Sequence, residues 1–368
     1  MRRDLLFVIG GLIVVVGLGV GGLALLNALG GGGGAGGGGG AGAGGGGSRG
    51  GSAGIDSWAQ AMRAAGYEVS YGTAVAKGST TTIADFKLAG PADTFRWRWA
   101  SPQVQVTGSD ASRVVLQLSG PQTLSFPVAG AERSLSFTAR GLQIDVQRNA
   151  TGRITRLDAN LTGLSLTPPE GGEPVQATRI QARLALAEGA GVIPERSGLS
   201  LLIEKLVLPE LQRAPLGKTL DSLTAELEFD RGLPSLKLGA ELPAWRSAAN
   251  GRLKVNRARL SWGMLNLEAE GALGFDAEYR PEGELYARFR NLLPALDAFH
   301  VVRRMDEAIR AEYYATLLDE MVLGRTEITE FTVRLRAGEV ALAREGSTLG
   351  ELALGALPAL LPLPPAGQ

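Results

Sequence analysis

The chain has no cysteine and one histidine, His300. The first absence excludes disulfides, thiol catalysis and thiolate metal sites, and it leaves the redox compartment undetermined. The second leaves no histidine-based triad and no multi-histidine metal site. Net charge is missing as well. Its 37 basic residues balance 37 acidic ones, so no overall field recruits nucleic acid or an anionic surface. No metal and no cofactor is expected, because no spacing of Asp, Glu and His suggests a ligand set. What remains is a chain of 368 residues, rich in glycine and able to bury a sizeable core as one large or two ordinary domains.

The N-terminal stretch is apolar. Leu5 to Leu29 carries no charge, follows Arg2 and Arg3, and is long enough to cross about 30 Å of hydrocarbon. It reads as an uncleaved transmembrane signal anchor over 5–29, with residues 1–4 in the cytoplasm; the alternative is a cleaved signal peptide, against which stand the length of the run and the lack of a small-x-small cleavage site. Residues 30–54 are glycine broken by Ala, Ser and Arg49, which reads as a disordered linker. Gly46-Gly47-Ser48-Arg49-Gly50 fits a nucleophile-elbow pattern, but a glycine coil supplies no strand-to-helix elbow.

From Ile55 to the C-terminus, a β-rich domain is expected over 55–368. Asp56 or Ser57 can cap a short helix that Gly66 ends. Short segments of alternating apolar and polar residues then follow one another, with Gly and Pro punctuation every 8–12 residues. The clearest is Gly251 to Asn291, where Leu265, Leu267, Leu273 and Phe275 take one parity and Glu268, Glu270, Asp276 and Glu278 the other. Its breaks at Asn256-Arg257, Gly263, Gly271-Ala272 and Arg280-Pro281 predict an antiparallel meander. One long helix is predicted over 294–321 from the stripe Leu296, Phe299, Val302, Met305, Ile309, Tyr313 and Leu317. The expected fold is mainly β (α+β), a large curved antiparallel sheet packed against that helix and the short N-terminal one.

Phe95-Arg96-Trp97-Arg98-Trp99 interleaves aromatics with arginines, as single-strand nucleic-acid binders do, but aromatic core packing accounts for it in a chain of zero net charge. The carboxylates Glu268, Glu270, Asp276 and Glu278 read as solvated groups paired with Arg257, Arg259, Arg288 and Arg290 on neighbouring strands. No enzyme is expected. The dry face of the meander is the candidate site: Leu253, Val255, Leu265, Leu267, Leu273, Phe275 and Leu285 would line a groove for a hydrophobic ligand or lipid. The alternative is a scaffold that recruits another envelope protein through strand edges or the Pro-rich tail, with no groove.

Trp58 followed by AAGYEVSY, then WRWASPQVQV, WGMLNLEAEGALGFDAEYRPEGELYARFRN and the ending LGELALGALPAL resemble the proteobacterial domain-of-unknown-function family 2125. The resemblance covers most of Trp58 to Leu360, and its motifs are structural rather than catalytic. It implies a single-pass protein of the bacterial inner membrane, with its folded domain in the periplasm and no assigned biochemical role. The meander is more loosely similar to repeats of AsmA-like envelope proteins, whose long curved sheets present an apolar groove to lipids.

Overall fold

The computed structural model describes residues 55–356 apart from several segments, the longest being 91–96, 187–196, 210–215, 230–251, 344–350 and most of 293–328. The described chain is antiparallel sheet with few exceptions. The strands of the first half are β1 (Glu68–Ser70), β2 (Ala74–Lys77), β3 (Thr80–Ala89), β4 (Arg98–Asp110), β5 (Arg113–Ser119), β6 (Gln122–Val128), β7 (Ala131–Thr138), β8 (Gly141–Arg148) and β9 (Ile154–Thr167). Those of the second half are β10 (Val175–Ala185), β11 (Ser197–Val207), β12 (Thr219–Phe229), β13 (Leu253–Trp262), β14 (Leu265–Phe275), β15 (Pro281–Arg290), β16 (Thr329–Arg336), β17 (Glu339–Ala343) and β18 (Glu351–Ala356).

From β8 to β18 each strand pairs with the next. In the first half, three pairs of segments run on in line as single bent strands. β3 meets β1 along 87–89 and β2 along 80–83. β4 meets β5 along 103–110 and β6 along 98–100. β9 meets β8 along 154–162 and β7 along 165–167. The eighteen segments therefore make fifteen strands of one up-and-down meander.

The bends share a line. Asp85 (φ 52°), Gly120 (φ 79°), Gly163 (φ 60°) and Lys205 (φ 51°) adopt left-handed backbone conformations on every second strand of the meander. Asp85 lies opposite Pro102, between the pairs Ala84–Gln103 and Phe86–Ser101. Pro102 in turn sits 3.1 Å from where a Cβ on Gly120 would be. Lys205 faces Asp221 and ion-pairs with it at 2.6 Å. A left-handed residue breaks the period-two alternation of its strand and resets which face the following side chains take, while the pairing stays one to one. Burial shows this reset: Ile83 and Phe86, Leu161 and Leu164, Ala177 and Ile180, and Ile203 and Leu206 are all buried although three residues apart. The sheet is thus creased from the break at Gly72 to the turn at Gly263, whose N–H donates to Asp221 Oδ2 at 3.3 Å. Side chains from both flanks of the crease form one continuous core.

Two polar side chains brace the crease. Trp99 Nε1–H donates to Gln122 Oε1 at 3.1 Å, and Gln122 Nε2 donates to the carbonyls of Ser119 and Gly120 at 3.3 and 3.2 Å. Phe86 packs edge-on to Trp99 with ring centroids 5.2 Å apart. The aromatic strand of the sequence is therefore core material at Trp99, with Arg98 turned outward to Glu132 at 3.1 Å.

A helical segment at 55–64 puts Ile55, Ala59 and Met62 into this core at steps of four and three. It ends in a Schellman cap: Gly66 N–H donates to Arg63 O and Tyr67 N–H to Met62 O, both at 3.0 Å, with Gly66 at φ 87°.

Two expectations are corrected here. The fold is not a sheet covered by a long helix. Within 294–321 only Ala295, Glu307, Arg310, Ala311 and Tyr314 are described, and no long packed helix stands among the described residues. The folded sheet supplies from its own far flank much of the cover that the helix was expected to give. The membrane anchor is likewise not supported: no helix among the described residues is long and apolar enough to cross a membrane, and 5–29 lies outside them. With it fall the N-terminus-in topology, attachment to the inner membrane and the periplasmic placement of the domain. Hydropathy weighs side-chain transfer alone, whereas six glycines in that run each disfavour a helix by about 1 kcal/mol relative to alanine. The linker at 30–54 and the Pro-rich tail also lie outside the described residues.

Candidate apolar groove

The crease runs out at the β13–β14 turn, so the strands beyond it have no bent flank of their own. On their inward face the register brings small side chains together. Ala225, Ala258, Ala269 and Ala287 sit side by side on β12, β13, β14 and β15, and Phe331 on β16 is next in the row. Leu260, Leu267 and Phe289 form the neighbouring row on one side. Val255, Leu285 and Val333 form it on the other, with Gly271 between Val255 and Leu285. Three strand spacings at about 4.8 Å make a trough of roughly 14 Å floored by alanine. Half of its floor is buried, Ala287 at 0% and Ala269 at 5% exposure, while Ala225, Ala258, Leu260, Leu267, Leu285 and Val333 remain half-exposed. Phe289 and Phe331 close one end edge to face, centroids 6.1 Å apart.

The alternation that sets this face is interrupted once. Asn256 and Arg257 form a bulge opposite the ladder of β14, which lets Val255 and Ala258 both point inward. Gly271 and Gly283 hold positive φ (151° and 146°). A Cβ on Gly271 would strike Glu284 O and come within 2.9 Å of Leu285 Cα, and one on Gly283 would strike Ala272 O. These glycines let β14 and β15 approach and leave a gap in the apolar face. Gly271-Ala272 is thus the middle of a strand, where the sequence predicts a turn.

The structure places the expected lining as follows. Val255, Leu267 and Leu285 are walls of the trough. Leu253 and Leu273 pair with each other one row farther out, and Leu265 pairs with Trp262 at the hairpin end. Phe275 pairs with Pro281, and its side chain lies outside the described residues. Ala258, Ala269, Ala287, Phe289, Phe331 and Val333 join the same cluster without having been singled out in the sequence. Their signal was there, small or aromatic residues at the parity of the leucines.

The outward face holds no such site. Glu268 accepts from Arg257 at 3.3 Å and Arg259 at 3.1 Å, Glu284 from Arg334 at 2.9 Å, Glu330 from Arg288 at 3.2 Å and Asp276 from Arg280 at 2.6 Å. Two of the four carboxylates of the meander, Glu268 and Asp276, are therefore ion-paired, and Glu278 and His300 lie outside the described residues. Among the described residues no three acidic, histidine or cysteine side chains are placed to hold a metal ion.

No match was found among curated proteins or among solved structures, so the looser likeness to AsmA-like proteins gains no support. The family model described as "Uncharacterized protein conserved in bacteria (DUF2125)" matches residues 48–358, a span that takes in every strand above. The chain belongs to this uncharacterised bacterial family, DUF2125.

Proposed function

We propose that this protein is a non-enzymatic binding protein that holds the hydrocarbon part of a ligand in the trough on β12–β16. One observation carries the reading: a row of alanines, buried at Ala269 and Ala287 and half-exposed at Ala225 and Ala258, lies between leucine walls that stay half-exposed. Ligand sites are concave, mainly apolar and largely pre-formed. A hydrocarbon chain burying about ten methylenes there gains roughly 8 kcal/mol before the cost of association, enough to leave useful affinity.

The test is titration of the full chain with 1,6-diphenylhexatriene, a neutral apolar probe whose emission rises out of water. Saturable binding is expected, and Leu267→Lys and Leu285→Lys each weaken it by about tenfold or more, since each puts a charge on a wall. Emission that never saturates, or equal affinity in all three proteins, refutes the groove.

A further inference from the structure

Arg148 ends β8 on the inward face, continuing the column Leu142, Ile144, Val146. It is 6% exposed, and neither its Nε nor its Nη2 has a hydrogen-bond partner among the described residues. Burial holds its guanidinium below the ordinary arginine value. The nearest carboxylate in the sequence, Asp145, lies on the opposite face of the same strand and is held by Arg113 Nε at 3.0 Å. Proteins rarely bury a guanidinium without an anion, because the fork of donors then loses water and gains nothing.

The register shows where this cation points. Arg148 follows Val146 by two residues on β8, and the row of Val146 runs through Leu157, Leu184 and Leu199 to Leu227 on β12 and Val255 on β13. Arg148 is thus on the face that carries the trough, four strand spacings or about 19 Å from β12. Building on the groove reading above, we infer that Arg148 is the recognition site for the oxyanion, carboxylate or phosphate, of an amphiphile whose hydrocarbon part lies in the trough. A bidentate guanidinium suits both head groups, and the separation calls for a long chain between head and tail.

Competition against diphenylhexatriene on the full chain decides it, with hexadecanoate, hexadecyl phosphate and hexadecanol below their aggregation limits and with inorganic phosphate alone. Both alkyl anions are expected to displace the probe at concentrations at least about tenfold lower than the alcohol. Arg148→Met is expected to bring the anions down to the level of the alcohol. The ligand-free variant should melt no lower than the wild type, since it loses an unpaired buried charge rather than a structural pair. Equal displacement by anions and alcohol in the wild type overturns the inference while leaving the groove standing, and so does a preference that survives Arg148→Met. If inorganic phosphate alone raises the melting temperature as much as hexadecyl phosphate, the anion is a free one and the amphiphile is refuted. If diphenylhexatriene itself fails to bind, both readings fall together.

Discussion

Replacing Gly271 by alanine tests the closest contact in the trough. Its φ of 151° belongs to a region that side-chain-bearing residues avoid, at a cost on the order of 1–3 kcal/mol. The new methyl would also meet backbone on β15, Glu284 O and Leu285 Cα, which cannot swing away as a flexible side chain would. Forcing a methyl into a packed site costs about 1–3 kcal/mol more. A loss of roughly 3 kcal/mol is therefore expected, a large part of the 5–15 kcal/mol typical of a folded domain. Urea unfolding of the full chain, followed by tryptophan emission, reads it as a lower midpoint at unchanged slope. Gly283→Ala should behave alike, because its Cβ would strike Ala272 O across the same pair of strands. The double variant should lose less than the sum, since one methyl already parts the ladder that the other would part. Gly108→Ala is the control, with nothing within 4 Å of its Cβ and an expected change within about 0.5 kcal/mol. A Gly271→Ala chain no less stable than that control would refute the close approach of β14 and β15.

Three further outcomes are expected. Gln122→Leu strands the Trp99 indole N–H and two carbonyls in the crease and should cost about 1–3 kcal/mol in the same unfolding assay; an unchanged midpoint would show that the brace is idle. Asp158 is affected first by burial, which raises its pKa, but hydrogen bonds from Arg156 and Arg183 outweigh this and hold it below the usual carboxylate range. Its contribution is therefore present above the unfolded value near pH 3.9 and lost as pH falls through the lower folded value, so Asp158→Asn should flatten the acid limb of stability against pH. Tyr71 is pushed up to about 12 by burial and then by its hydrogen bond to Asp56, so spectrophotometric titration should show one phenol ionising about two units above the ordinary value near 10. That raised value favours the folded state below pH 10 and is lost between 10 and 12, and Tyr71→Phe should abolish the late transition.

The two-residue grammar made the strands legible, and β13, β14 and β15 lie where alternation in Gly251–Asn291 puts them. The crease was not legible as such, because a break in alternation looks like the end of a strand when only period two is sought. Pairs such as Leu161 and Leu164, or Ile203 and Leu206, carry its signature, yet apolar residues three apart also suit a helix. Gly271 misled for a related reason: a glycine inside an alternating run signals either a turn or a close backbone approach, and only the partner strand decides. The alanines of the floor were passed over because alanine is neutral in both environments until register sets it beside three others. Arg148 gave no sign at all, since a lone arginine after an apolar run reads as the exposed end of a strand.

The crease and the trough are two consequences of one geometry. A single sheet of this length twists, and to bury its inward face it must either close on itself or be covered. Here each strand from β3 to β12 crosses the crease and carries its own flank, so Ile83, Val104, Leu116, Ile144 and Leu161 are sealed at 1% exposure or less. The line of the crease slants across the strands and leaves the sheet at Gly263, one turn before β14. Strands that follow receive no flank, yet they keep the same inward alternation of leucine and alanine. Their apolar face is thus the continuation of that core into a second cluster, where Leu292 packs with Ala269, Ala287 and Phe289. Lys205 and Asp221, the last facing pair on the crease, set where that second cluster begins.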